Sequence, residues 1–396
     1  MTALWLTPWR LRVYPRLLLA AMGLALLFAL CTGSGARVVS GRLGGDFAEF
    51  YAAGRIVLAG QAERLYEPAA QRAAERDLMP EGSGDVFVPF AYPPQFALPY
   101  ALLAALPYRP AFAAHLAVMA GLLFLAVRIA CRDLPWAAPY TAAVFCAAVL
   151  FYPLLRALLG GQNTPLTLCL FAAAWSLERR GRMVAAGLCL AALCFKPQLG
   201  LGLLALYALA GRTRMTLTAC LGLAALLAGN TAVFGPSWPA AWLGYADWVV
   251  RTSLGMEGEM AVSFPGAARH LLAAWPRAGL AAGLVAACAV LACLGATFWR
   301  RRGRSLDLPC LGLAAAGLLL AAPHAYFYDA GLLVFPALAL LDARLPHAAS
   351  LVCGLWLAGL AQIFAPHLGL SPLFPAALAL FGLCLALVAA PHRVRP

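Results

Sequence analysis

The sequence predicts an all-α, polytopic membrane protein, and three observations carry that expectation. The 396 residues are 63% hydrophobic and only 11% charged, against roughly 25% charge in a soluble domain; mean hydropathy is +0.82. Apolar runs recur along the chain, most of them near the length that crosses a hydrocarbon core of about 30 Å. Alternating segments of about ten residues, which a membrane barrel requires, are absent.

Taken in order, Arg10, Arg12 and Arg16 precede an apolar run at 17–31. This reads as an uncleaved first span; a signal peptide cleaved near Ser34-Gly35-Ala36 is the rival. Either way residue 37 onward lies outside. The 37–94 loop is rich in acids and predicts two short amphipathic helices, 47–59 and 69–78. Asp46 opens the first, Gly60 closes it, and Pro68 fits the first turn of the second. Phe90-Ala91-Tyr92-Pro93-Pro94 then breaks the chain before 95–106, a piece too short to span and read as re-entrant or interfacial. Further spans read at 111–129, 135–152, 164–178, 183–196, 198–210, 215–234, 277–298, 307–322, 330–342, 348–365 and 373–390, about twelve with the first. One helix broken at Lys196-Pro197 is the rival for the 183–210 pair. The expected organisation is a single integral-membrane domain, 1–396: tail and first span to 36, outer loop 37–94, core spans 95–345 and C-terminal spans 346–396.

The net charge of +13 arises from 29 basic residues, of which Lys196 is the only lysine. With both ends inside, more than half of them fall in short inner connections, including Arg128, Arg179, Arg212, Arg300 and Arg344. That is the positive-inside pattern of a cytoplasmic-membrane protein, and it removes any need for a nucleic-acid partner. The 12 cysteines lie almost entirely inside apolar runs and form no CxxC pair. They read as small apolar residues rather than a zinc or disulfide framework.

Once the spans are drawn, the unusual polar residues gather at the outer ends. They are Asp46 and Glu49; Tyr92-Pro93-Pro94; Arg156 with Gly160-Gly161-Gln162-Asn163; Lys196-Pro197-Gln198; and Pro323-His324-Ala325-Tyr326-Phe327-Tyr328-Asp329. Each has a plain structural role open to it. Asp46 and Glu49 have the spacing of a capping box, worth about 0.5–2 kcal/mol. Lys196 has the reach to snorkel to the interface. Gly160–Asn163 fits a turn that caps the next span, or one that aims N–H groups at an anion. His324 fits a loop, Tyr326 and Tyr328 an aromatic belt, and Asp329 a cap on the following span. Together they also fit a reaction: transfer of a sugar from a polyprenyl phosphate. The leaving phosphate needs no general acid, so one carboxylate to take the acceptor proton and cations or N–H dipoles for the phosphate suffice. No cofactor is required; the Asp46–Glu49 pair leaves a divalent ion open.

Gly45-Asp46-Phe47, Tyr51-Ala52-Ala53-Gly54, Gly60 and Leu65-Tyr66 resemble the first outer loop of glycosyltransferase family 87, the DUF2029-type membrane enzymes. Tyr92-Pro93-Pro94, Gly161-Gln162-Asn163, Ala186-Gly187, Phe195-Lys196-Pro197-Gln198 and Pro323-His324 to Tyr328-Asp329 resemble its later blocks, so the likeness runs from about 40 to 345. The resemblance implies a GT-C-type bundle and a polyprenyl-phosphate-linked hexose or pentose donor. The acceptor does not carry over from the family and is expected to be a lipid or glycan. Membrane lipids as surroundings and chemistry at the extracytoplasmic face follow from the span layout above. The resemblance maps the catalytic aspartate onto Asp46 and donor-phosphate contacts onto Lys196 and His324, to which Arg156 is added. Substrate contacts are then expected at Glu49, Tyr51, Tyr92, Gln162, Asn163, Gln198, Tyr328 and Asp329. The rival class is a transporter or flippase of lipid-linked saccharides, which the Lys196-Pro197 break would suit.

Overall fold

The structure is a computed structural model that describes residues 7–32, 43–76, 78, 87–253 and 258–390. Among these residues the fold is all-α: helices joined by tight turns and 3-10 segments, with one isolated bridge between Ala261 and Tyr326. Five helices are long and apolar enough to cross a membrane, Pro8–Cys31, Tyr108–Arg132, Thr213–Phe234, Pro276–Arg300 and Ala348–Leu368. Ala138–Leu150 and Tyr152–Gly160, bent by 75°, make a sixth if they count as one span.

The other stretches read as spans are helical too, but shorter. Met183–Leu193 and Pro197–Leu209 are separate helices, so the 183–210 stretch is two pieces. Length and composition therefore support five or six crossings, while the count of about twelve rests on the sequence pattern alone. The reason is local. Met183–Leu193, Pro197–Leu209, Leu308–Ala321 and Leu373–Ala389 are apolar but only 10–17 residues long, shorter than a helix of spanning length. The loop helices form at Phe47–Leu58 and Pro68–Glu75, and the short piece after Pro94 is the helix Leu98–Ala104. Two further helices, Trp238–Ser253 and Phe264–Leu271, occupy sequence that hydropathy left as loop.

By internal contacts the chain divides into two compact units. One comprises Met1–Leu150, Leu154–Cys169 and Ala224–Val249; the other comprises Phe151–Pro153, Leu170–Leu223 and Val250–Pro396. The first is organised around the Phe47–Leu58 helix, whose Phe47, Ala48, Phe50, Ala52 and Ala53 are buried. Tyr51, Tyr100, Tyr108, Phe112 and His115 surround the Phe47 ring, their centroids 4.9 to 6.1 Å away. A Cβ on Gly54 would lie 2.3 Å from the Tyr100 carbonyl oxygen, so the Leu98–Ala104 helix packs at a distance only glycine allows.

Gln71 ties the following loop together. Its amide donates to the Leu65 carbonyl at 2.6 Å, and its oxygen accepts from the Phe90 N–H at 2.9 Å and the Tyr245 hydroxyl at 2.8 Å. Nearby Glu75 is buried and accepts one bond, from the Val88 N–H at 3.1 Å. Burial pushes its carboxyl up to about 8, with Val88 and Arg72 pulling the other way.

In the second unit the Leu308–Ala321 helix is buried on every face, as a helix apolar all round must be. It packs against Pro276–Arg300, Val334–Asp342 and Leu373–Ala389. Asp307 caps it, accepting from the Cys310 N–H at 3.3 Å.

Two outcomes are expected from this packing. Gly54→Ala forces the two helices apart and lowers stability by about 1–3 kcal/mol, read as the thermal midpoint in detergent. Glu75 has a folded value above its ordinary 4.5, so its contribution is largest at low pH and is lost as pH rises toward about 8. Glu75→Gln, neutral throughout, flattens that part of the stability profile; an unchanged slope refutes the assignment.

Candidate active site

In the first unit the backbone sets the Asp46 carboxyl in place. The Gly44 N–H donates to the Leu159 carbonyl at 2.8 Å, and the Asp46 N–H to the Gly160 carbonyl at 3.0 Å. Gly161 stands at φ +88°, and a Cβ there would lie 2.6 Å from that of Phe47. Both the left-handed backbone and the lack of space demand glycine at that turn. Asp46 occupies the N-cap position, but its backbone is helical (φ −78°, ψ −18°) and its side chain makes no capping bond. The capping-box reading is thus corrected, because the carboxyl turns toward the neighbouring turn instead. A Cβ on Gly160 would lie 3.0 Å from Asp46 Oδ2.

Asp46 is partly exposed at the residue level, yet burial of its carboxyl raises its proton affinity above the usual carboxylate range. A hydrogen bond from the Gln162 side chain and the positive charge of Arg156 oppose that rise. Glu49, buried one turn later, accepts from Gln162 Nε2 at 3.4 Å.

Around this pair lie polar groups with nothing to bind. Both amide atoms of Asn163, Gln162 Oε1, Thr164 Oγ1 and His115 Nε2 are buried without a hydrogen-bond partner. His115, which hydrogen-bonds the Gly161 backbone, was missed by sequence reasoning. Its signal was available: an ionisable residue inside an otherwise apolar span marks function by default. Tyr51 donates its hydroxyl to the Leu106 carbonyl at 2.7 Å, and Tyr92 lies in the aromatic cluster with its carbonyl accepting from Tyr66 at 2.8 Å. Among the described residues, no group of three or more His, Cys, Asp or Glu side chains is arranged to hold a metal ion.

The second unit gathers a different set. Lys196 stands in the break before the Pro197–Leu209 helix, with φ −111° and ψ 84°. It is 3% exposed, and its Nζ lies 2.5 Å from Asp329 Oδ1 and 5.9 Å from the centre of the Tyr328 ring. The snorkelling reading of Lys196 and the capping reading of Asp329 are therefore both corrected: each is buried as the other's ion-pair partner. His324 meets the edge of Tyr326 at 4.3 Å. Burial lowers its proton affinity, Asp329 opposing and the Lys196 charge adding to the effect. The Val262 N–H donates to the Ala325 carbonyl at 3.0 Å and fixes this loop. Gln198 is half-buried in the first turn after Lys196.

Apolar helices of membrane-spanning length, with carboxylates, amides and cations buried at their turns, define a multi-pass membrane protein built for polar chemistry. The chain belongs to glycosyltransferase family 87, whose match covers residues 90–323, over half its length. No curated protein and no solved structure matches the chain. Tyr92, Arg156, Gln162, Asn163, Lys196 and Gln198 fall within the matched residues, whereas Asp46, Glu49, Tyr51, His324, Tyr328 and Asp329 fall outside them.

The buried ion pair predicts a specific stability pattern. Lys196→Met leaves Asp329 charged and unpaired, costing about 3–5 kcal/mol, while replacing both partners by apolar residues of similar volume is close to neutral. Lys196→Met with Asp329→Leu should therefore regain the thermal midpoint that Lys196→Met loses; a double variant no more stable than the single one contradicts the pairing.

Proposed function

We propose that this membrane glycosyltransferase takes a hexose or pentose from a polyprenyl-phosphate donor. It passes the sugar to a hydroxyl of a lipid or glycan acceptor at the extracytoplasmic face, with Asp46 as general base. The observation that carries the proposal is the state of the Asp46 carboxyl. It heads a buried helix, makes no cap, and has its proton affinity raised by burial. A carboxylate of raised proton affinity, within reach of water and substrate, suits proton abstraction better than an ordinary one.

The acceptor oxygen attacks the anomeric carbon as Asp46 takes its proton. The bond from that carbon to the phosphate oxygen breaks, and polyprenyl phosphate leaves as a monoester anion. A single displacement inverts the anomeric centre, by analogy with one-step glycoside chemistry. Contacts to the donor phosphate are assigned to Lys196, His324 and Arg156. An ammonium has three donors, so the one bond from Lys196 to Asp329 leaves two for an anion. Glu49, Gln162 and Asn163 are assigned to sugar hydroxyls, which the unpartnered amide atoms would satisfy. Further substrate contacts are assigned to Tyr51, Tyr92, Gln198, Tyr328 and Asp329.

The test is Asp46→Asn, nearly equal in shape and lacking the basic oxygen. Sugar transfer from a synthetic polyprenyl-phosphate hexose should fall by about 10²–10⁴-fold while the thermal midpoint holds; full turnover removes Asp46 from the mechanism. In the parent enzyme the base must be ionised, so activity rises with pH through the raised value. The acid limb of kcat/KM then lies above the ordinary carboxylate 3.8.

A further inference from the structure

Three turns of the second unit carry most of its arginines: Arg179, Arg180 and Arg182 in one, Arg212 and Arg214 in the next, and Arg300, Arg301, Arg302 and Arg304 in the third. The fold joins them. Arg212 donates to Glu178, to the Ala210 carbonyl and to the Arg304 carbonyl, and the Gly303 N–H donates to Ala210 at 3.4 Å. The Trp175 indole, beneath the Arg179 guanidinium at 4.9 Å, donates to Leu306 at 2.9 Å. Arg301 is buried and donates to the Val388 carbonyl at the end of the Leu373–Ala389 helix.

We propose that this joined surface binds the headgroups of anionic phospholipids. Its depth is the first reason. The Pro276–Arg300 span ends at it and the Thr213–Phe234 span begins at it, so it stands where hydrocarbon gives way to phosphate. Trp299, 56% exposed with the Arg302 guanidinium 5.1 Å over its ring, is placed as an interfacial anchor.

The charge balance is the second reason. Two neighbouring acids are already engaged, Glu178 by Arg212 and Asp307 as the cap of the next helix. Among the described residues no acid pairs with the exposed Arg179, Arg302 or Arg304. Basic loops that merely flop at a membrane attract anions diffusely. Hydrogen-bonded turns hold their cations in fixed relative positions, as recognition of a headgroup requires.

The test is native mass spectrometry of the full-length protein in mild detergent, titrated with phosphatidylglycerol and with phosphatidylcholine of identical chains. Phosphatidylglycerol should bind on the order of tenfold more tightly, and rising salt should erase the difference. Arg179→Gln with Arg302→Gln and Arg304→Gln should lose that preference, while Arg277→Gln, at the other end of the same span, should keep it. Equal binding of the two lipids overturns the proposal. So does a triple variant that retains selectivity, or displacement of the lipid by an equal concentration of inorganic phosphate. Should the triple variant fail to fold, the salt titration of the parent protein decides alone: a preference that survives high salt is not held by these cations.

Discussion

An apolar chain must satisfy its polar groups internally, because lipid offers them no partners. This constraint organises the structure. Gln71 uses both ends of its amide, Arg212 makes one bond within its own turn and one to each of two others, and Lys196 and Asp329 are buried only as a pair. Glu178 and Arg301 each leave one atom unpartnered, but each has another atom bonded. Asn163 differs in kind: it is fully buried and neither amide atom has a partner. Stability alone gives no reason to retain such a residue, since an unsatisfied buried amide costs roughly 1–3 kcal/mol. A substrate that supplies the missing partners, as proposed above, would give one; in the same unit Thr164 Oγ1 is also unpartnered, and His115 and Gln162 each leave one atom so.

The chemistry proposed for Asp46 rests on how little the helix asks of it. A carboxylate at a helix start is favoured by the dipole and by any cap it makes, and both lower its proton affinity. Here the cap is absent and burial outweighs the pull of Gln162 and Arg156. The same residue that would stabilise an exposed helix is therefore left with a raised proton affinity, the property the proposed base requires. Its backbone is meanwhile held by the Gly160 carbonyl, and the glycine turn that supplies it admits no larger residue at Gly161.

Much of this was legible in the sequence because hydropathy reports burial against lipid or core. The all-α class, the two loop helices, the short helix after Pro94 and the helical pieces from 111 to 390 all follow from it. What it did not report was geometry. The 75° bend at Phe151 interrupts a helical pair without interrupting apolarity. Trp238–Ser253 mixes Trp, Tyr, Asp and Arg with alanine, so its helix was hidden by its polarity. The candidate residues were half legible. Residue type and order flagged Asp46, Gln162, Lys196 and Asp329, but pairing of Lys196 with Asp329 joins positions far apart in sequence, and local patterns cannot reveal it.

The single lysine illustrates why residue choice here is physical rather than compositional. An arginine presents five donors in a rigid fork and is costly to bury unless several acceptors surround it. Arg212 meets that condition, with a carboxylate and two carbonyls. Position 196 offers one carboxylate oxygen and the face of an aromatic ring. A guanidinium there would leave donors stranded in a buried break between helices. An ammonium, compact and free to rotate, makes the one ion pair and leaves its remaining donors for the phosphate contact proposed above. The same reasoning runs in reverse at 212, where a lysine could hold Glu178 but would release the carbonyls that bind the turns together.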